Sequence, residues 1–329
     1  HLSEYQQSEV VACGNGTDAL QIAFMALGLE PGDEVITTPF TFVATAEVLA
    51  LLGLKPVFAD VDPGDFNLSP AQAAAAITAR TRALLPVHLF GQNAPMEELL
   101  TLAGKHGLHV VEDAAQSLGS DYFYSNGETR RSGTLGIIGC TSFFPSKTLG
   151  AFGDGGALFT RDREMAAQIR SIANHGQRVR YHYERIGMNS RLDSLQAAIL
   201  DVKLRYLDEY VAARQKAADY YDHHLEGMGD LLLPERRPWS THSFHQYTLR
   251  TARRDDLQQF LKKRGVPSMV YYPKPLHLHE AYHYLGYGPG DFPVSEKLAR
   301  TVLSLPMHTE LDEEQLEYIT ATIRNFYEF

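Results

Sequence analysis

Cysteine is scarce in this chain of 329 residues: Cys13 and Cys140 are the only two. Two thiols cannot build a disulfide framework, and no C-x-x-C pair offers a zinc or redox site. No run of about 18 apolar residues is present, which argues against a membrane span. No basic-apolar-small leader opens the chain either, so no secretory signal is read and a cytoplasmic location is expected. Base is also in short supply, with 30 Lys and Arg against 40 Asp and Glu and a formal charge of −10. That balance argues against nucleic acid or an anionic membrane as the main partner. An anionic ligand would have to be held by local donors.

What is present is ordinary globular material, 44% hydrophobic, in a length that supports two cores. From residue 10 to about 160, short apolar runs alternate with helical patterns, the signature of βα units and a mostly parallel sheet. Strands are expected at Val10–Ala12, Glu34–Thr37, Lys55–Ala59, Leu84–Pro86 and Val110–Glu112. Helices are expected at Thr17–Leu27, Val43–Leu52 and Met96–Lys105, where apolar residues recur at three- and four-residue spacing. After Leu192 the pattern changes to two long helices, Ser194–Tyr206 and roughly Asp208–Leu225. A strand at His245–Arg250, a helix at Arg254–Lys263 and a strand at Ser268–Tyr272 then describe a smaller α+β domain. Its last helix opens on a capping box, Asp312 with Gln315.

Three stretches carry chemistry. Gly14-Asn15-Gly16-Thr17-Asp18-Ala19 falls between a strand and a helix, where backbone N–H groups and the helix dipole meet an anion. A tight turn with no ligand is the lesser alternative. Asp113, in His109-Val110-Val111-Glu112-Asp113, ends a buried strand, where open α/β sheets keep their ligands. A buried anion calls for a cationic partner, which a structural salt bridge would also supply. Lys147 follows Phe143-Phe144-Pro145-Ser146 and precedes a loop with four glycines, Gly150, Gly153, Gly155 and Gly156. An apolar setting lowers a lysine's pKa and frees its amine as a nucleophile; the plainer reading is a solvated loop lysine. A phosphate loop, a strand-end carboxylate and a sequestered lysine together are what pyridoxal phosphate requires.

Rival motifs are weaker. His279-Glu280-Ala281-Tyr282-His283 is formally H-E-x-x-H, and Gly286 follows where a metzincin has glycine. Pro289 then occupies the third-histidine position, so a helix turn with histidines on its polar face is expected, and no metal. G-x-S-x-G is missing, as is an S-x-x-K ending at Lys147, which leaves a serine hydrolase without its nucleophile setting.

In combination the chain resembles the DegT/StrS-type nucleotide-sugar aminotransferases. The stretches that carry the likeness are GNGTDAL, GDEVITTPFTFVATA, VVEDAAQSLG, CTSFFPSKTLGAFGDGGALFT, HGQRVRYHYERIGMNSRLDSLQAAIL, YYPKPLH, GDFPVSEKLA and LSLPMH, in family order from residue 12 to 308. The resemblance implies an α/β fold, fold type I of the pyridoxal phosphate enzymes. A large domain over 1–205 would hold a mostly parallel central sheet flanked by helices, and a smaller C-terminal α+β domain over 206–329 would include the long connecting helix.

It further implies that Lys147 bears the cofactor and moves the proton, that Asp113 pairs with the pyridinium, and that Gln116 contacts the phenolic oxygen. Phe42 would stack on the ring, with Phe40 the lesser candidate. Gly16, Thr17, Asp18 and Ser142 would hold the phosphate. A homodimer with shared sites is implied, Asn189 reaching the other subunit's phosphate and Arg191 serving the donor carboxylate or substrate pyrophosphate. Tyr271, Tyr272 and His277 would line the sugar-nucleotide side.

The implied reaction moves an amino group from L-glutamate to a keto group of a UDP- or TDP-linked sugar, C3 ahead of C4 and UDP ahead of TDP. It would serve surface polysaccharide, lipopolysaccharide or secondary-metabolite sugar synthesis. A keto-cyclitol substrate, or a non-catalytic sensor on the same fold, are the alternatives. A dehydratase variant is disfavoured, since it carries histidine at the lysine position. Thr148, Pro95 and the long polar stretch Asp121–Thr134 depart from the family pattern. Members also carry about 40 residues before the phosphate loop, so the natural chain is expected to start earlier.

Overall fold

The structure, a computed structural model, describes residues 1–328. A seven-stranded sheet runs from edge to edge through Glu9–Cys13, Gly156–Thr160, Ile138–Ser142, His109–Asp113, Thr81–Leu84, Glu34–Thr37 and Lys55–Phe58. Only Gly156–Thr160 opposes its neighbours; the other pairings are parallel. Glu34–Thr37 is buried at every position, as befits a strand covered on both faces.

One face carries the helices Gly16–Leu27, Ala44–Leu51 and Arg163–Ala173, whose apolar residues share a core with Val35, Val111, Ile138 and Leu158. Met96–His106 covers the other face, with Met96, Leu99 and Ala103 against Ile36, Leu84 and Val110.

Register decides where the chemistry gathers. Cys13 pairs with Gly156, Gly156 with Ser142, and Asp113 with Cys140. The turn after Cys13, the end of Ile138–Ser142 and the Asp113 strand end therefore lie at one edge of the sheet. That is the carboxyl edge of the parallel strands, the ligand edge of open α/β sheets.

The helix Leu207–Leu225 bridges two cores. Leu207 and Val211 pack on Leu118, Phe143 and Phe159. Ala217, Ala218, Tyr221 and Leu225 join a C-terminal core with Leu249, Leu257, Leu303 and Ile323. The last helix begins as its capping box predicts: the Gln315 N–H donates to Asp312 Oδ1 (2.8 Å) and the Asp312 N–H to Gln315 Oε1 (3.2 Å).

Two expectations for this smaller unit change. Ser268–Tyr272 is not a strand: Met269 alone bridges Ser304, after which the backbone turns toward the sheet and packs Tyr271 and Tyr272 beside Phe40 and Phe90. Pro267 and Pro273 bracket the segment and remove two ladder donors. The strand that pairs with Tyr247–Arg250 is instead Val302–Leu305, antiparallel. His279–His283 forms part of a short 3₁₀ turn, Glu280–Leu285. No group of metal-ligating residues occurs among the described residues.

Candidate active site

The first wall of the site is the tip of the helix Gly16–Leu27. Asn15 caps it, its Oδ1 accepting the Asp18 N–H at 2.8 Å. Ser190 accepts the Gly14 N–H (2.8 Å) and donates to Asp18 Oδ2 (2.6 Å). Asp18 is thus engaged through both backbone and side chain. The Gly16 and Thr17 N–H groups are left as the free donors of the first turn among the described residues. Ser142 presses in from the strand end: a Cβ on Gly16 would stand 2.7 Å from its Cβ. The glycine is what lets strand and helix tip close into one anion-sized cradle.

Asp113 forms the floor. It is 6% exposed and accepts hydrogen bonds from Thr45 Oγ1 (2.8 Å) and the Ala115 N–H (3.2 Å). Burial raises its carboxyl pKa, while the two hydrogen bonds and the nearby Lys147 charge oppose the rise. No ion pair satisfies it among the described residues, so the cationic partner expected for this carboxylate is not another side chain in direct contact. A bound pyridinium would fill that role.

Behind it Glu112, fully buried, accepts three backbone N–H groups, from Gly133, Leu135 and Gly136, at 2.6–3.0 Å. It also meets His88 Nε2 at 2.8 Å. Since His88 Nδ1 accepts the Ala94 N–H, the proton sits on Nε2.

Lys147 lies in the turn that follows Ser142, closed by its own N–H on the Phe144 carbonyl at 2.8 Å. Burial pushes its amine down to about 8 and Asp113 pulls the other way. The following Thr148, the family departure, is buried with its hydroxyl unpartnered.

The roof is aromatic. Phe42 is 55% exposed and Phe40 fully buried, so Phe42 is the ring available for stacking; its centroid lies 6.5 Å from Tyr272. Gln116 is clamped, Oε1 accepting the Phe90 N–H (2.7 Å) and Nε2 donating to the Tyr272 hydroxyl (3.1 Å). Tyr271 and Tyr272 are half-buried at this mouth.

His277 is elsewhere. It has no exposed surface, meets Glu296 at 3.2 Å and packs edge-on to Phe292. It presents no surface to the mouth formed by Tyr271 and Tyr272. Asn189 and Arg191 are exposed while Ser190 between them is buried; alternate residues of an extended segment face opposite ways.

Sequence reasoning missed Thr45 and Ser190. Only Thr45 had a local signal, lying three residues beyond Phe42 at the start of a helix.

Comparison with known proteins agrees with this geometry. The profile of the DegT/DnrJ/EryC1/StrS aminotransferase family matches residues 2–324. A UDP-2-acetamido-2-deoxy-3-oxo-D-glucuronate aminotransferase of Pseudomonas aeruginosa is 50% identical over 315 residues, 96% of this chain and 85% of the relative. A protein of Geobacillus stearothermophilus named pleiotropic regulatory protein is also 50% identical, over 96% of this chain and 84% of its own. Among solved structures, DesV of S. venezuelae, crystallised with a bound intermediate, superposes with a TM-score of 0.95 at 41% identity, over 99% of this chain and 87% of that one.

Proposed function

The chain belongs to the DegT/DnrJ/EryC1/StrS aminotransferase family, whose enzymes use pyridoxal phosphate; it is a nucleotide-sugar aminotransferase, and we propose that its acceptor is the C3 keto group of a UDP-linked sugar and its donor L-glutamate. Lys147 set against Asp113 beside a glycine-lined helix tip carries the reading. When bound, pyridoxal phosphate supplies the electron sink.

The protein's part is positional and protonic. The Gly16 and Thr17 N–H groups and the Thr17 and Ser142 hydroxyls hold the phosphate at the positive end of the helix. Asp113, short of a cation, would accept the ring N–H and keep that nitrogen protonated; Gln116, with its carbonyl fixed on Phe90, would offer its amide N–H to the ring oxygen, and Phe42 would cover the ring face. Lys147 Nζ would hold the cofactor through its aldehyde carbon, and as a free amine it would move the proton at the donor's α-carbon.

Asn189 and Arg191 are exposed on either side of buried Ser190. Ile186, Leu195, Tyr181 and Tyr183 around them are 63–86% exposed, an apolar surface suited to a partner. We read this face as the homodimer contact through which the partner subunit's Asn189 completes the phosphate site. The names of the P. aeruginosa relative and of a UDP-N-acetyl-3-dehydro-α-D-glucosamine 3-aminotransferase, 46% identical, support a UDP-linked 3-keto substrate.

A panel of UDP- and TDP-linked 3- and 4-keto sugars, scored by product mass with glutamate as donor, tests the reading. Conversion of a free cyclitol alone would overturn it. The G. stearothermophilus relative favours one other reading, a regulator on the same scaffold; glutamate converted to 2-oxoglutarate by the isolated protein excludes a purely non-catalytic role.

A further inference from the structure

The backbone of Asp113 is held from both sides: its N–H donates to the Pro86 carbonyl (2.9 Å), and its own carbonyl accepts the His88 N–H (3.0 Å). Only the side-chain torsions remain free, and a donor on each oxygen fixes them. The Ala115 N–H takes Oδ1 (3.2 Å) and the Thr45 hydroxyl takes Oδ2 (2.8 Å). The first donor is supplied by the turn that follows the strand. The second comes from 68 positions away, in the first turn of the helix Ala44–Leu51.

Thr45 has no exposed surface, Thr41 is 3% exposed, and their hydroxyl oxygens lie 3.1 Å apart. Each hydroxyl has a single proton to give. With the Thr45 proton committed to the Asp113 carboxylate, the Thr41 proton must point at Thr45. The result is a directed chain from Thr41 to Thr45 to Asp113, in which each bond polarises the next. It runs through the turn that carries Phe42, whose carbonyl accepts the Thr45 N–H at 3.3 Å.

A protonated carboxyl is the poorer acceptor, so a chain of this direction favours the ionised form. Burial drives the Asp113 pKa up, and the Thr45 hydrogen bond is the foremost effect holding it down.

We propose that Thr45, backed by Thr41, is a positioning residue for the cofactor ring: its hydroxyl fixes the Asp113 carboxylate and keeps it ionised, so that the proton between carboxylate and ring stays on the ring nitrogen. The proposal rests on Asp113 being the ring's partner and adds the group that decides which side holds the proton. Thr45 gives up no proton of its own; it weights the two places where the shared one can sit.

The test is nitrogen NMR of pyridoxal phosphate, isotope-labelled at the ring nitrogen and bound to the protein, because the shift separates a pyridinium from a neutral pyridine. Wild type is expected to show the pyridinium. Thr45→Val keeps the branched shape and removes the donor; losing one hydrogen bond to a charged group should move the proton's partition toward Asp113 on the order of tenfold or more, seen as a displacement toward the pyridine shift. Thr45→Ser, which keeps the hydroxyl, should retain the wild-type shift. Thr41→Val leaves the Thr45 bond in place without its support and should move the shift the same way, by less. An unmoved shift in either valine variant, or equal displacements in Thr45→Val and Thr45→Ser, overturns the proposal.

Asp113→Asn separates this from the underlying reading, since it should remove the pyridinium altogether. If its label matches wild type, the ring does not meet Asp113 and that reading fails with the proposal. If it moves while Thr45→Val does not, the proposal alone falls.

Discussion

Gly16→Ala is the sharpest perturbation of the phosphate cradle, because two opposing effects can be weighed. The residue opens a helix, where alanine is better than glycine by about 1 kcal/mol. Against this, the new methyl would lie 2.7 Å from Ser142 Cβ and 3.3 Å from its Cα. Ser142 is the last residue of a strand paired with Gly156 and cannot swing aside. Overpacking of this kind costs about 1–3 kcal/mol, so stability should change by no more than about 2 kcal/mol.

The larger effect is on binding. Relief comes from moving the helix tip outward, and hydrogen bonds to a charged group are worth about 1.5–3 kcal/mol each. Partial loss of the two N–H bonds from Gly16 and Thr17 should weaken pyridoxal phosphate about 10–100-fold. Titrating the cofactor-free protein with pyridoxal phosphate by absorbance measures this. Ser142→Gly added to Gly16→Ala should recover affinity to the level of Ser142→Gly alone, a coupling that a double-mutant cycle isolates. Wild-type affinity in Gly16→Ala, or additive losses in the double variant, would refute the cradle.

Other perturbations follow from the same contacts. Thr148→Val removes a buried hydroxyl that has no partner, so urea unfolding should show a gain of about 1 kcal/mol. Asp60, 5% exposed, accepts the Val294 and Ser295 N–H groups at 2.9 Å and the Ser295 hydroxyl at 2.6 Å. It thereby caps the helix Pro293–Thr301, which has no side-chain cap of its own. Asp60→Ala should cost about 3 kcal/mol in the same assay. Burial holds the Lys147 amine at about 8, below a lysine's ordinary 10.5, so between those values the unfolded chain binds the extra proton and stability rises with pH. Cofactor-free wild type should gain stability relative to Lys147→Met from pH 8 upward, seen as a widening difference in urea midpoints; parallel curves would contradict the amine's burial.

The alternation of strands and helices, and the three stretches around Gly16, Asp113 and Lys147, were legible because their signals are local. A cap at Asn15, a glycine at a close approach and a carboxylate ending an apolar run are all written within a few residues. Val302–Leu305 was not legible as a strand because it follows the helix Pro293–Thr301 without a turn residue, and only its pairing with Tyr247–Arg250 defines it. Ser268–Tyr272 misled for the opposite reason: its residues suit a strand, but the chain is needed at the mouth of the site. Ser190 and Asp18 meet from 172 residues apart, and no local pattern announces it. His277 lay in a stretch that matches the family, yet the fold seals it against Phe292.

The central claim is that Lys147 bears the cofactor. Borohydride reduction of the protein saturated with pyridoxal phosphate, digestion and peptide mapping test it most directly. The account predicts a pyridoxyl group on the peptide containing Lys147 and on no other lysine, absent from Lys147→Ala. Cofactor mass on another lysine, or none on Lys147 after saturation with pyridoxal phosphate, would contradict it.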